Sequence, residues 1–70
     1  MLWLVTKSAS HQIVSCNLHQ EGDKHSVWVE RSNGKNLKIK EDDDISVVLE
    51  IKKAIDFAIS KKYSTLELDI

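Results

Sequence analysis

One amphipathic segment, placed after four strand-like runs, most constrains what this chain can fold into. From about Ile45 to Lys62, apolar residues recur at helical spacing and form a single stripe. The residues of the stripe are Val47, Val48, Ile51, Ala54, Ile55, Ala58 and Ile59. Because one helix covers only one face of a small sheet, we expect two layers and a second sheet face without a helix.

Turn residues divide the rest of the chain into five strand-like runs. The predicted strands are Leu2–Thr6, His11–His19, His25–Arg31, Asn36–Lys40 and Tyr63–Ile70. Asn33-Gly34 predicts a two-residue hairpin turn before the fourth strand, because both residues tolerate positive φ. We therefore expect an α+β fold of order ββββαβ: a two-layer domain with a mixed sheet and one amphipathic helix packed on one face.

The end of the chain constrains the strand pairing. A strand–helix–strand unit favours parallel pairing through a right-handed crossover. The first strand is apolar and nearly free of charge, so we expect it to be the neighbour of the last strand. The acidic run Glu41–Asp44 precedes the helix, and Asp43 or Asp44 is the expected N-cap.

Length and composition favour one small domain, residues 1–70, with a modest core. A single cysteine, Cys16, forms no internal disulfide and fits a reducing compartment. The apolar run Met1–Val5 is too short for a signal peptide or a membrane span, so we expect a cytoplasmic protein. The net charge is −1 and Arg31 is the only arginine, which disfavours a general attraction to nucleic acid or membranes.

Strict alternation assigns every strand residue to one of two sheet faces. The core face, under the helix, receives Leu2, Leu4, Val14, Cys16, Leu18, Val27, Val29, Leu37, Ile39, Leu66, Leu68 and Ile70. The opposite, outer face receives Trp3, Val5, Ile13, Ser15, Trp28, Glu30, Lys38, Lys40, Glu67 and Asp69. A one-residue bulge would reverse the assignment within the strand that it interrupts.

Trp3 and Trp28 are the most informative residues of the outer face. Apolar area left uncovered on so small a domain is typical of a partner surface. Glu30, Lys38 and Lys40 would supply a charged rim around it. Three interpretations remain open: the tryptophans pack on each other and on lysine stems, they are buried in a homo-oligomer, or they contact a different protein.

Leu49 and Phe57 form a second candidate surface, on the polar side of the helix. Eight residues separate them, which is roughly 12 Å along a helix. Either a loop such as the Asn33-Gly34 hairpin folds over Phe57, or this side chain contacts a partner.

The residue types that carry chemistry are present, but their spacing does not indicate a site. Cys16 and His19 have a ligand-like separation, yet alternation places Cys16 with the core and His11 and His19 on the other face. Glu30, Glu67 and Asp69 share the outer face without any sign of a pocket around them. We therefore expect no metal, no cofactor and no enzymatic activity.

The segment Ala54–Asp69 resembles in topology the helix-to-strand joint of ribonuclease H-like folds. That family carries an essential aspartate on its first strand, where this chain has Leu2–Thr6 without an acid. The resemblance implies at most a scaffold without the nuclease chemistry, and the chain is not assigned to that family.

The sequence thus favours a small protein-binding module, an inhibitor, antitoxin-like or adaptor protein, acting by steric contact with another protein or as a homodimer. The excess of lysine over arginine is typical of an AT-rich coding genome, and with the small size it suggests a phage or mobile-element accessory protein. The expected partner-binding residues are Trp3, Ile13, Trp28, Glu30, Lys38, Lys40, Leu49 and Phe57. The alternative is single-stranded nucleic-acid binding, with bases stacked on Trp3 and Trp28 and phosphates held by Lys38 and Lys40.

Overall fold

Five strands and one helix form in the predicted order. The computed structural model describes all residues, 1–70. The elements are β1 (Leu2–Val5), β2 (Ser10–Glu21), β3 (Lys24–Arg31), β4 (Asn36–Asp42), α1 (Ile45–Ser60) and β5 (Thr65–Glu67). The sheet has the order β4-β3-β2-β1-β5, and only β1 and β5 pair in parallel. The predicted mixed sheet, the parallel pairing of the first and last strands and the single covering helix are confirmed.

The core lies between α1 and the face of the sheet that α1 covers. Its buried members are Leu2, Leu4, Ile13, Cys16, Val27 and Val29 from the sheet and Val48, Ile55 and Ala58 from the helix. Burying one large aliphatic side chain contributes about 1.5–3 kcal/mol. Because the core has only nine buried members, the stability of the domain depends on how closely they pack. No helix of the protein has the length and apolar character needed to cross a membrane.

Both ends of α1 are capped by local hydrogen bonds. Asp44 is the N-cap, and its Oδ1 accepts bonds from the backbone N–H of Ser46 at 2.9 Å and from the Ser46 hydroxyl at 2.8 Å. These two bonds hold the pKa of Asp44 below its ordinary value. At the other end, the N–H of Lys62 donates to Ile59 and that of Tyr63 to Ala58, which is the Schellman pattern.

The Schellman turn ends the helix two residues earlier than the sequence predicts. Lys62 takes a φ of 59°, the left-handed conformation in which glycine is the usual residue. Tyr63 is thereby directed back across the helix end instead of beginning the last strand.

The predicted β3–β4 hairpin forms with a longer loop than expected. The N–H of Arg31 donates to the Lys35 carbonyl at 2.8 Å and closes a loop of Ser32–Gly34, in which the N–H of Gly34 donates to the Arg31 carbonyl at 2.9 Å. Only Gly34 has positive φ, at 85°, as expected for a three-residue loop that ends in a left-handed glycine. The two-residue turn predicted from Asn33-Gly34 is therefore wrong in length.

A β-bulge at Val14 changes the faces of β2. Ser15 pairs with Glu30 of β3, whereas Ile13 pairs with the next residue, Arg31, so that Val14 is the extra residue. Ile13 is fully buried in the core, and Val14 is 42% exposed. The predicted position of Ile13 on the outer face is wrong, because the extra residue reverses the alternation in the first half of the strand.

A second irregularity shifts Lys40. Trp28 of β3 pairs with Lys38 of β4, but Val27 pairs with Lys40, which leaves Ile39 as the extra residue. Directly opposed residues point to the same face of a sheet, and Val27 is in the core. Lys40 therefore lies on the helix side of the edge strand, not on the outer face where alternation placed it.

The bulge at Val14 predicts unequal costs for two adjacent truncations. Ile13→Ala removes fully buried methyl groups and is expected to lower the free energy of unfolding by about 2–4 kcal/mol. Val14→Ala removes half-exposed groups and is expected to cost less than about 1 kcal/mol. Urea unfolding of both variants measures the difference, and a larger cost for Val14→Ala would contradict the bulge.

Candidate functional site

Trp28 lies on the outer face and is held there by neighbours within the sheet. Its indole N–H donates to the Ser26 hydroxyl at 2.9 Å. The His19 ring meets it edge to face at 5.6 Å between centroids, and Lys38 Nζ lies 5.8 Å from its ring centre. Trp28 is therefore half-buried, and much of its ring is already in contact with the protein.

Trp3 is more open and lies well away from Trp28. It is 46% exposed, and its strand neighbours are Gln12 and Thr65. Trp28 lies opposite Asn17, so the two indoles are separated by roughly 15 Å along β2. The tryptophans do not form one continuous patch.

The remaining outer-face candidates are engaged in polar contacts. Glu30 accepts a hydrogen bond from the Ser15 hydroxyl at 3.2 Å, and Lys38 forms an ion pair with Glu41 at 3.0 Å. Trp28, Glu30 and Lys38 thus lie together on the outer face, and Trp3 lies on the same face but away from them. This face lacks Ile13 and Lys40, which lie on the helix side.

The two candidate partner-binding residues on the helix differ in exposure. Leu49 is half-buried, whereas Phe57 is 51% exposed. The Phe57 ring meets Tyr63 edge to face at 5.9 Å, and Lys61 Nζ lies 5.8 Å from its centre. The segment that follows the helix, and not the Asn33-Gly34 hairpin, supplies these neighbours.

An apolar groove opens at the carboxyl end of α1, and sequence reasoning missed it. Its volume is about 360 Å³. It is lined by Met1, Leu2, Ile13, Val14, Ile59, Lys62 and Tyr63. Met1, Val14 and Tyr63 are exposed at its mouth, and Phe57 extends the apolar area through its contact with Tyr63. We call these four residues, Met1, Val14, Phe57 and Tyr63, the groove surface.

Two local backbone features create the groove. The bulge brings Val14 beside Ile13 on the helix side, and the Schellman turn at Lys62 directs Tyr63 toward it. The lining residues come from three separate parts of the chain, so no spacing in the sequence indicates that they meet. The predicted helix end, near Lys62, lies two residues beyond the observed one. A bulge was considered, but no residue type in the sequence indicated its position.

Lys52 covers a neighbouring part of β2. β1 pairs only with Ser10–Ile13, so the rest of β2 has no β1 partner. The Lys52 ammonium donates to the Cys16 carbonyl in that stretch at 3.1 Å and pairs with Asp56 at 2.6 Å. A lysine placed in this way discourages the addition of a foreign strand.

Cys16 is not a reactive thiol in the folded protein. Burial raises its pKa to about 11, and this outweighs the opposing effect of the Lys52 charge. A thiol with so high a pKa carries little thiolate at neutral pH and is a poor nucleophile or metal ligand.

The other polar residues considered in the sequence stay apart. The buried Nδ1 of His11 has no hydrogen-bond partner, and His11 lines a second cavity of about 170 Å³, whereas His19 packs on Trp28. Asp69 pairs with Lys7 at the surface. No group of three or more His, Cys, Asp or Glu side chains converges in a way that could hold a metal ion.

Comparison with known proteins identifies no relative of this chain. The chain matches no known protein family, no characterised protein and no solved structure. What the protein binds is therefore inferred from its surface.

The different environments of the tryptophans predict different access to a quencher. Trp28→Phe leaves only the open Trp3, and Trp3→Phe leaves only the half-buried Trp28. Acrylamide is expected to quench the first variant more strongly than the second in the folded state. Equal quenching of the folded variants would contradict the described contacts of Trp28, and both should become equally accessible in concentrated urea.

Proposed function

We propose that this protein is a small non-enzymatic binding module that acts by steric contact, with the groove surface as its main contact site. One observation carries the proposal. Four of the six exposed large apolar side chains, those of Met1, Val14, Phe57 and Tyr63, gather at one end of the domain around or beside a groove. Concentration of exposed apolar side chains at one place is typical of interaction surfaces.

The dimensions of the groove suit a single anchoring side chain. A volume of about 360 Å³ lies at the lower end of the range for small-ligand pockets and accommodates one aromatic or large aliphatic group. Tyr63 and Phe57 flank it, and tyrosine in particular is frequent among residues that dominate binding energy. The affinity would come from the buried anchor, with the surrounding contacts excluding water.

The roles of inhibitor, antitoxin-like protein and adaptor all remain within this proposal, as does a homodimer. Each acts by occupying a surface and requires no catalytic group. The proposal includes a cytoplasmic location and an origin in a phage or mobile element. Trp3 provides a second, smaller contact on the opposite face.

Single-stranded nucleic-acid binding is the weaker alternative. It needs two stacking platforms near each other and lysines on the same face. Trp28 is partly covered by His19 and Lys38, Trp3 lies at a distance, and Lys40 lies on the helix side. No observation specifically favours this function.

The proposal is tested by removing apolar area from the groove surface. The double variant Val14→Ser/Tyr63→Ser is expected to lose binding, while Trp3→Ser, on the opposite face, keeps most of it. Sedimentation velocity reports self-association, and the immobilised proteins report which host proteins wild type retains and the double variant loses. Because the substituted side chains are about half-exposed, circular dichroism should show an unchanged fold.

Identical behaviour of wild type and the double variant in both assays would contradict the groove surface as the contact site. If only Trp3→Ser loses binding, the contact site is the outer sheet face and not the groove surface.

A further inference from the structure

We infer that the groove takes an acidic protein segment, one in which a large apolar side chain is flanked by Asp or Glu. This inference rests on the proposed function and names the class of partner for the same surface. The apolar side chain would enter the groove, and the flanking carboxylates would meet Lys61 and Lys62.

The charge around the groove is positive and uncompensated. Lys62 is the only charged residue of the lining, and Lys61 lies over the adjoining Phe57 ring. The four ion pairs of the protein involve Lys7, Lys24, Lys38 and Lys52, and neither groove lysine takes part in one. An apolar groove with a cationic rim is complementary to an apolar anchor with anionic neighbours.

The backbone at Lys62 gives an independent reason. A φ of 59° disfavours lysine, and glycine would occupy this helix end with less strain. The position nevertheless carries a lysine that lines the groove. Strained conformations of this kind tend to occur at functional sites. If Lys62 only offset the negative helix end, its replacement would leave the affinity for an acidic peptide unchanged.

Two other occupants fit this surface less well. A symmetric dimer through the groove would bring the lysines of both copies into one interface without supplying the carboxylates that they lack. The acidic run of a second copy, Glu41–Asp44, is already engaged, because Asp44 caps α1, Asp43 pairs with Lys24 and Glu41 pairs with Lys38. A nucleic acid would meet the two lysines with its phosphates, but two lysines on a chain of net charge −1 are few phosphate contacts.

The experiment compares synthetic peptides of one length that differ only around the anchor. Three fluorescein-labelled peptides carry a central Leu-Trp pair flanked by Asp/Glu, by Ser/Gly or by Lys. A fourth, with Asp/Glu flanks, has Ser-Ser in place of the anchor, and a labelled oligothymidine serves as the nucleic-acid probe. Fluorescence polarisation measures affinity for the full-length protein at low and at physiological salt.

The acidic peptide with the anchor is expected to bind most tightly and to weaken as salt rises. Lys61→Gln/Lys62→Asn should reduce its affinity about 3-fold to 10-fold, as expected for two exposed charge contacts, and should reduce the affinity of the Ser/Gly-flanked peptide much less. Asparagine suits the substitution because it tolerates the left-handed conformation. Lys53→Gln is the matched control, since Lys53 is exposed on α1 and lies outside the groove lining.

Lys62→Gly separates a binding role from a structural one. Glycine relieves the backbone strain, so the urea midpoint should rise while affinity for the acidic peptide falls. An unchanged affinity in this variant would mean that the lysine serves only the helix end and would overturn the inference.

The remaining outcomes are equally decisive. Equal affinity for the three anchored peptides would overturn the acidic partner and leave the apolar contact of the proposed function intact. Tightest binding of oligothymidine, or self-association that the Lys61/Lys62 variant abolishes, would also overturn it. Absence of all peptide binding would overturn the inference, while the proposed function is judged separately by Val14→Ser/Tyr63→Ser.

Discussion

The bulge at Val14 is the constraint on which the rest of the structure depends. One extra residue in β2 allows Ile13 to enter the core opposite Leu2 while Cys16 enters the same core farther along the strand. Without it, one half of β2 would present its polar side to α1. The bulge therefore supplies the buried cluster under the helix and leaves Val14 half-exposed beside it.

The surface follows from this core and from the way in which α1 ends. The left-handed Lys62 reverses the chain, so that Tyr63 packs on Phe57 and faces the groove together with Val14. The strain of a non-glycine residue at this turn is balanced by the Schellman hydrogen bonds of Lys62 and Tyr63. The same turn thus ends the helix, shapes the groove and places its cation.

The sequence was sufficient for the features that periodicity and turn chemistry determine. The helix stripe around Val48 and Ile55, an aspartate N-cap at Asp43 or Asp44 and the parallel pairing of the end strands were all predictable. Alternation failed where a strand gained a residue, because a bulge leaves no signature in the residue types near Val14. The groove was unpredictable for a related reason: its walls meet only after the bulge and the helix end have formed.

The strand register around the bulge tests this account most directly. Nuclear Overhauser effects measured in solution between β2 and β3 should connect Ile13 with Arg31 and Ser15 with Glu30, leaving Val14 without an opposed residue. The methyl groups of Ile13 should then show contacts with the core side of α1. An uninterrupted register, in which Val14 lies opposite Arg31 and the methyl groups of Ile13 show no contacts with α1, would contradict both the described core and the groove built upon it.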